Sequence, residues 1–233
     1  MITWIVLFLL LSLSACADRE VPAPVVESQW HAFNPNATRH VVMRGETLYA
    51  IAFRYDQDYR QLATSNRLRS PYTLSIGQVI YLQPMQRQRH SPPSPRVYQP
   101  TYTPRIIRSA NRYHGNRWLW PAHGRIVASF VPEQGKKGID IAGRKGEKIY
   151  ASTGGIVAYA GNGLAGYGNL IIIKHDNQYL TAYGDNLHNL VREGQAIQAG
   201  QVIAEMGIVD HRFYGVHFEI RKAGRPVNPM NYL

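Results

Sequence analysis

Residues 84–117 set the strongest limit on what this chain can fold into. The stretch contains seven Arg, six Pro and no acidic residue. Repulsion between like charges and frequent Pro prevent a segment of this kind from forming a packed core. The 233-residue chain is therefore predicted to fold on either side of a basic, Pro-rich linker, at 39–83 and at 118–233.

The net charge of +11 follows the same division. Residues 16–38 carry −2, 39–83 carry +3, 84–117 carry +7 and 118–233 carry +3. A folded nucleic-acid reader carries its basic residues on one face of a domain, whereas most of this excess lies in the linker. The distribution argues against nucleic acid as a partner and favours nonspecific attraction to an anionic surface.

The N-terminus carries an apolar run at 2–13, followed by Ser14, Ala15 and the only Cys of the chain, Cys16. Such a run is too short to span a bilayer and predicts a secretory signal peptide at 1–15. The alternative is a buried core helix. Leu13-Ser14-Ala15-Cys16 resembles a bacterial lipobox, which implies that Cys16 is lipid-modified and is followed by a linker at 16–38. With Ala17 next, the resemblance implies a lipid anchor in the outer membrane, facing the periplasm.

The segment 39–83 is predicted to form a small α+β module in the order strand, helix, helix, strand. Residues 40–43 alternate like a strand, and Thr47 can cap a helix whose apolar face includes Leu48 and Ile51. A second helix is predicted at 58–66 and a returning strand at 79–82.

This module resembles a LysM module across nearly its whole length. The resemblance rests on the runs Arg44-Gly45-Glu46-Thr47-Leu48-Tyr49-Ala50-Ile51-Ala52 and Leu74-Ser75-Ile76-Gly77-Gln78-Val79-Ile80-Tyr81-Leu82, with Asn66 between them. It implies binding of N-acetylglucosamine-containing glycan, here peptidoglycan, in a groove between two loops. The implied contacts are Gly45, Glu46, Thr47, Leu48, Leu74, Ser75 and Ile76. The alternative is a minidomain without a ligand.

The segment 118–233 is predicted to form an all-β domain of mainly antiparallel strands. Short β-branched and aromatic runs recur between Gly residues, as expected for such a domain. The runs lie at 125–130, 139–142, 148–160, 169–174, 179–183, 201–206 and 216–221.

Four motifs in this segment resemble the lysostaphin or LytM-type zinc metallopeptidase domain. They are Lys137-Gly138-Ile139-Asp140-Ile141, Gly166-Tyr167-Gly168-Asn169-Leu170-Ile171-Ile172-Ile173-Lys174-His175, His217-Phe218-Glu219-Ile220-Arg221 and Pro226-Val227-Asn228-Pro229. With a LysM module and a lipobox before it, the multidomain chain resembles the NlpD and ActS group of murein hydrolase activators.

The resemblance also predicts that the peptidase chemistry is lost. Active members bind zinc through three side chains and use two further His. In this chain the metal positions are occupied by Lys136, Asp140 and His217, and the two catalytic His positions are occupied by Asp185 and Gly215. The Lys136 ammonium is expected to take the place of the metal charge and pair with Asp140, so no catalytic residue, metal or cofactor is predicted. Asp140, Asp185 and His217 could form an alternative metal site, but the Lys136 charge opposes it.

The group resemblance implies a non-catalytic activator of a periplasmic N-acetylmuramoyl-L-alanine amidase, acting in septal peptidoglycan splitting and daughter-cell separation. The predicted amidase-binding groove consists of Lys136, Asp140, Tyr183, Asp185, Tyr214 and His217. Two other functions remain open, namely a zinc-dependent peptidoglycan endopeptidase and a passive tether between the outer membrane and the cell wall.

Overall fold

The computed structural model describes residues 34, 36–82, 118–176 and 178–233. The predicted signal peptide, the lipid attachment point Cys16 and the linker at 84–117 lie outside the described residues. No helix in the described part is long and apolar enough to cross a membrane.

The first module has the predicted order of strand, helix, helix and strand. Its elements are β1 (Arg39–Val41), α1 (Leu48–Arg54), α2 (Tyr59–Ser65) and β2 (Val79–Tyr81). The predicted cap is confirmed, because the Thr47 side chain accepts a hydrogen bond from the Ala50 N–H at 3.1 Å. Asp58 caps α2 in the same way through the Arg60 N–H, at 2.9 Å. β1 and β2 pair antiparallel, with His40 opposite Ile80.

The second module is the predicted antiparallel β domain. Its strands are β3 (Arg125–Ala128), β4 (Ile139–Ala142), β5 (Lys148–Tyr150), β6 (Gly155–Gly161), β7 (Asn169–Lys174), β8 (Tyr179–Asn189), β9 (Ala196–Ile197), β10 (Val202–Val209), β11 (Phe213–Lys222) and β12 (Arg225–Val227). Their order in the sheet is β3-β4-β11-β10-β8-β7-β6-β9, with β12 on β11 and β5 on β10. β11 also pairs with β8.

The structure differs from the expected strands mainly at 148–160, at the end of β8 and in two short strands. The run predicted at 148–160 is two strands, β5 and β6, and β8 continues well beyond residue 183. β9 and β12 were not predicted, because strands of two and three residues are too short to show an alternating pattern.

Both faces of the sheet are buried around β7. Ile171 and Ile173 point into the main core of the β domain. Leu170 and Ile172 point the opposite way and belong to a second apolar cluster. Continuous apolar runs of this kind are typical of strands that are covered on both faces.

Helix α1 of the first module covers that second face. Its Ala50 and Phe53 side chains join the second cluster, while other residues of the same helix pack in the core of their own module. The Thr47 hydroxyl donates to the Ala158 carbonyl at 3.2 Å. At Gly224 the backbone approaches Gln57 so closely that an added Cβ would lie 2.2 Å from its carbonyl carbon. The two modules of the sequence therefore pack against each other through α1 and residues near it.

Candidate functional site

A groove of about 540 Å³ opens where β4, β8 and β11 lie side by side. Charged residues of both signs line it, including Lys136, Asp140, Asp185, Arg212, His217 and Glu219. The register brings two of the predicted site residues together, because His217 on β11 lies opposite Asp140 on β4.

The His217 ring is held between two carboxylates. Its Nδ1 lies 2.6 Å from Oδ1 of Asp140, and its Nε2 lies 3.0 Å from Oε1 of Glu219. A neutral imidazole has only one N–H, whereas two ionised carboxylates on the two ring nitrogens require two donors. The geometry therefore fits a protonated His217.

The pKa shifts agree with this geometry. Burial disfavours the charge on His217, but its hydrogen bonds and its attraction to Asp140 and Glu219 outweigh that effect and raise its pKa to about 10. Burial likewise disfavours the Glu219 carboxylate, but the positive charges of Arg221 and His217 lower its pKa to about 2. Both side chains are therefore charged at neutral pH.

Glu219 continues the network away from the groove. Its Oε2 accepts a hydrogen bond from Nε of Arg221 at 2.6 Å, and its Oε1 accepts one from the Tyr167 hydroxyl at 2.9 Å. Arg221 is fully buried and also pairs with Asp56 of the first module. The Phe53 ring lies over its guanidinium, 4.2 Å from the ring centroid to Cζ. An unbroken polar network thus joins the groove to the first module.

The expected pair between Lys136 and Asp140 is wrong. Asp140 pairs with His217 instead, and Lys136 is exposed and lines the groove. The backbone of Lys136 pairs with that of Val131, and the chain turns between them at Gly135. Among the described residues Lys136 makes no ion pair, so its ammonium is free to meet a partner molecule in the groove.

The two tyrosine positions predicted for the groove need correction or refinement. Tyr183 is fully buried, its hydroxyl accepts from the Ser152 N–H at 2.9 Å and its ring lies 5.2 Å from Phe218, so its predicted place in the groove is wrong. Tyr214 is exposed but lines an adjoining cavity of about 670 Å³. Asp185 lines both cavities, and burial raises its pKa to about 6.

The residues present do not fit a catalytic zinc ion. A zinc-binding His must be neutral and offer a free lone pair, whereas both ring nitrogens of His217 face carboxylates. At Gly215 an added Cβ would lie 2.3 Å from the Ile141 carbonyl oxygen, so the missing His has no room there. Within 34, 36–82, 118–176 and 178–233 no cluster of three or more His, Cys, Asp or Glu side chains is placed to hold a metal.

Sequence reasoning missed Glu219 and Arg221 as members of the site. The signal was present, because residues 217, 219 and 221 are polar while the residues between them are apolar. On a strand this alternation places the three polar side chains on one face, next to Asp140 across the β4–β11 pair.

The predicted glycan contacts surround a second cleft, of about 360 Å³. Glu46, Thr47, Leu48 and Leu74 line this cleft, whereas Gly45, Ser75 and Ile76 lie outside its lining.

Two of the lining side chains serve the module itself. Leu48 is 1% exposed in the module core. The Glu46 carboxylate lies 2.6 Å from His40 Nε2 and accepts from the Met43 N–H at 2.8 Å. Leu48 and Glu46 therefore expose little side-chain surface to the cleft, and their contact with glycan stays a prediction. Tyr49 and Tyr72 line the cleft as well.

Comparison with known proteins identifies both modules. The LysM domain model matches residues 40–83, and the Peptidase family M23 model matches residues 134–229. The Lipoprotein NlpD/LppB homolog of Pseudomonas aeruginosa is 39% identical over 227 residues, which covers 84% of this chain and 76% of that protein. Murein hydrolase activator NlpD of Escherichia coli is 34% identical over 262 residues, covering 85% of this chain and 68% of that protein. Among solved structures, a zinc-containing peptidase from Vibrio cholerae is 28% identical with a TM-score of 0.43, over 49% of this chain and 38% of that one.

Proposed function

Because this chain belongs to the NlpD/LppB family of proteins with LysM and M23 domains, we propose that it is a non-catalytic activator of a periplasmic N-acetylmuramoyl-L-alanine amidase. In this proposal the LysM module binds peptidoglycan glycan strands and the M23 groove binds the amidase. The activity serves septal peptidoglycan splitting and daughter-cell separation. A relative that covers most of this chain bears the name murein hydrolase activator, which supports the proposal.

One observation carries the proposal, namely that the groove is open while its histidine is unavailable for metal. Both ring nitrogens of His217 lie within hydrogen-bond distance of carboxylates, those of Asp140 and Glu219, and the first metal position holds Lys136, which argues against hydrolysis by a zinc-bound water. The groove nevertheless keeps about 540 Å³ of space with charges of both signs on its walls. An activator needs such a surface to bind the active state of its partner better than the inactive state. A preference of about 2.7 kcal/mol shifts that equilibrium a hundredfold.

We further propose that Cys16 carries the lipid anchor and holds the chain in the outer membrane, on its periplasmic face. The apolar run before Cys16 and the lipoprotein name of the Pseudomonas relative support this. Each buried CH2 of an acyl chain adds about 0.8 kcal/mol of membrane affinity, so several acyl chains hold a protein durably. The linker at 16–38 would then join the anchor to the folded part.

A release assay on dye-labelled sacculi tests the proposal. The full chain, a purified amidase and a mixture of both are compared for soluble dye released over time. We expect no release by the chain alone and at least tenfold more release by the mixture than by the amidase alone. Chelator-sensitive release by the chain alone would instead identify a zinc endopeptidase. Binding to sacculi with no effect on any periplasmic amidase would identify a passive tether.

A further inference from the structure

The cleft beside the LysM loops has a second wall that belongs to the M23 domain. Residues from both modules line its volume of about 360 Å³. The M23 wall is formed by the start of β6, the end of β7 and the turn before β9, with Ile156, Lys174 and Glu193 among its residues. The side chains on this wall have no role in the groove at His217.

One hydrogen bond joins the two walls, and another holds the M23 wall together. Thr47, which caps α1 on the LysM side, donates through its hydroxyl to the Ala158 carbonyl on the M23 side at 3.2 Å. Within the M23 wall, the Gly194 N–H donates to the Val157 carbonyl at 2.9 Å. These bonds hold the shape of the cleft between the packed modules.

The two walls differ in chemistry. The LysM wall is aromatic and apolar: Tyr49, Tyr72 and Leu74 line it, and the Tyr49 ring packs 4.6 Å from the Tyr59 ring. Fixed aromatic rings beside a few polar groups suit the mixed apolar and hydroxyl surface of a sugar.

The M23 wall is charged. It presents the Lys174 ammonium, which makes no ion pair within the described part of the chain, and the Glu193 carboxylate, which accepts from the Ala160 N–H at 3.3 Å. Ile156 beside them is 46% exposed. An uncharged glycan would give neither charge a partner, whereas a peptide with a free carboxylate and a free amine would give one to each.

We propose that this cleft binds a peptidoglycan strand together with its stem peptide. The sugars lie against the LysM wall, and a free carboxylate and a free amine of the peptide meet Lys174 and Glu193 of the M23 wall, respectively. The inference rests on the proposed binding of peptidoglycan through LysM and adds the M23 domain as the second half of that site. It assigns the M23 domain two surfaces, the groove for a protein partner and this wall for the peptide.

Equilibrium binding of the full chain to two probes tests the inference. One probe is glycan strands that keep their stem peptides, and the other is the same strands stripped of peptide. We expect Lys174→Ala and Glu193→Gln each to weaken binding of the peptide-bearing strands by about fivefold to tenfold. Neither change should affect the stripped strands. Lys174→Arg, which keeps the charge, should retain most of the affinity.

Matched controls remove the same charges from elsewhere on the surface. Arg225→Ala and Glu133→Gln alter exposed residues that do not line the cleft, and both variants should bind the two probes like the unchanged chain. Thermal unfolding of every variant checks that the fold is retained.

A third variant separates failure of this inference from failure of the LysM proposal. Thr73 is exposed on the LysM wall, so Thr73→Trp should fill the cleft and abolish binding of both probes. If Thr73→Trp abolishes binding while Lys174→Ala and Glu193→Gln bind normally, or lose affinity equally for both probes, LysM binding stands and the stem-peptide inference is overturned. If Thr73→Trp also binds both probes normally, the glycan site itself is wrongly placed.

Discussion

At the scale of single residues, the carboxylates on either side of His217 decide what the groove can bind. We expect the ring to stay between Asp140 and Glu219, which lie within hydrogen-bond distance of its two nitrogens, when Lys136→His restores the missing ligand. We predict that neither the unchanged chain nor Lys136→His binds zinc with submicromolar affinity in a calorimetric titration. An active M23 peptidase serves as the positive control. Stoichiometric zinc binding to the unchanged chain would show that Asp140 and Glu219 release His217 readily.

The buried pair of Arg221 and Glu219 predicts a non-additive effect on stability. Arg221→Met leaves a buried carboxylate without its main partner and should lower the free energy of unfolding by about 3–5 kcal/mol. Combining it with Glu219→Leu should cost clearly less than the sum of the two single changes. Denaturant titration of the four proteins measures this difference. Lys148→Ala, which breaks an exposed pair with Glu205 of the same 2.6 Å length, should leave stability nearly unchanged. Additive costs would contradict the coupling.

His175 predicts how stability depends on pH. Burial lowers its pKa from 6.5 to about 4, and its ring is hydrogen-bonded as a neutral group to Gly154 and Thr181, each at 2.8 Å. Below pH 6.5 the unfolded chain binds a proton that the folded chain accepts only near pH 4. The free energy of unfolding therefore falls as pH decreases through this window.

A variant isolates this contribution from those of other titrating groups. His175→Gln removes the titrating ring, so the stability difference between the two proteins should shrink by up to about 3 kcal/mol from pH 7 to pH 4. Chemical denaturation at several pH values measures it. A difference that stays constant over this range would show that His175 titrates normally.

At the scale of elements, the sequence predicts local structure well and contacts between distant segments poorly. The cap predicted at Thr47 follows from the hydrogen bonding of a short polar side chain and is present, and Asp58, the first residue of the predicted second helix, caps α2 in the same way. The Arg221 pair with Asp56 joins residues 165 positions apart, and no local pattern encodes such a partner. The apolar run at 170–173 is typical of a strand that is covered on both faces, but it does not indicate which segment covers it.

The close approach at Gly224 provides a test of how tightly the two modules pack. Gly224 has a φ of +82° and lies against Gln57, whereas Gly146 has a φ of +74° with open space around it. An Ala at either position costs about 1 kcal/mol for its backbone conformation. Gly224→Ala should cost a further 1–3 kcal/mol or so because it clashes with the other module. Thermal or denaturant unfolding compares the two variants, and equal costs would contradict tight packing at this contact.

At the scale of the whole molecule, the two modules pack together in one compact unit. The LysM domain and the M23 domain match separate stretches of the chain, yet α1 completes the second apolar cluster of the β domain. The polar network from His217 to Asp56 runs across the same contact. The sequence indicated an anchor, a glycan-binding module and a peptidase-like domain in which one metal position and both catalytic His positions are replaced. It could not indicate that the last two pack together, because that depends on side chains far apart in the chain.

Reversing a charge in the groove tests most directly whether the groove itself activates an amidase. Arg212 is exposed and lines the groove, while Arg225 is exposed and lies outside its lining. Arg212→Glu and Arg225→Glu are compared in amidase-dependent dye release from sacculi at matched protein concentrations. We predict that Arg212→Glu lowers activation by at least tenfold, that Arg225→Glu activates like the unchanged chain, and that no form releases dye without amidase. Full activation by Arg212→Glu, or release by the chain alone, would contradict it.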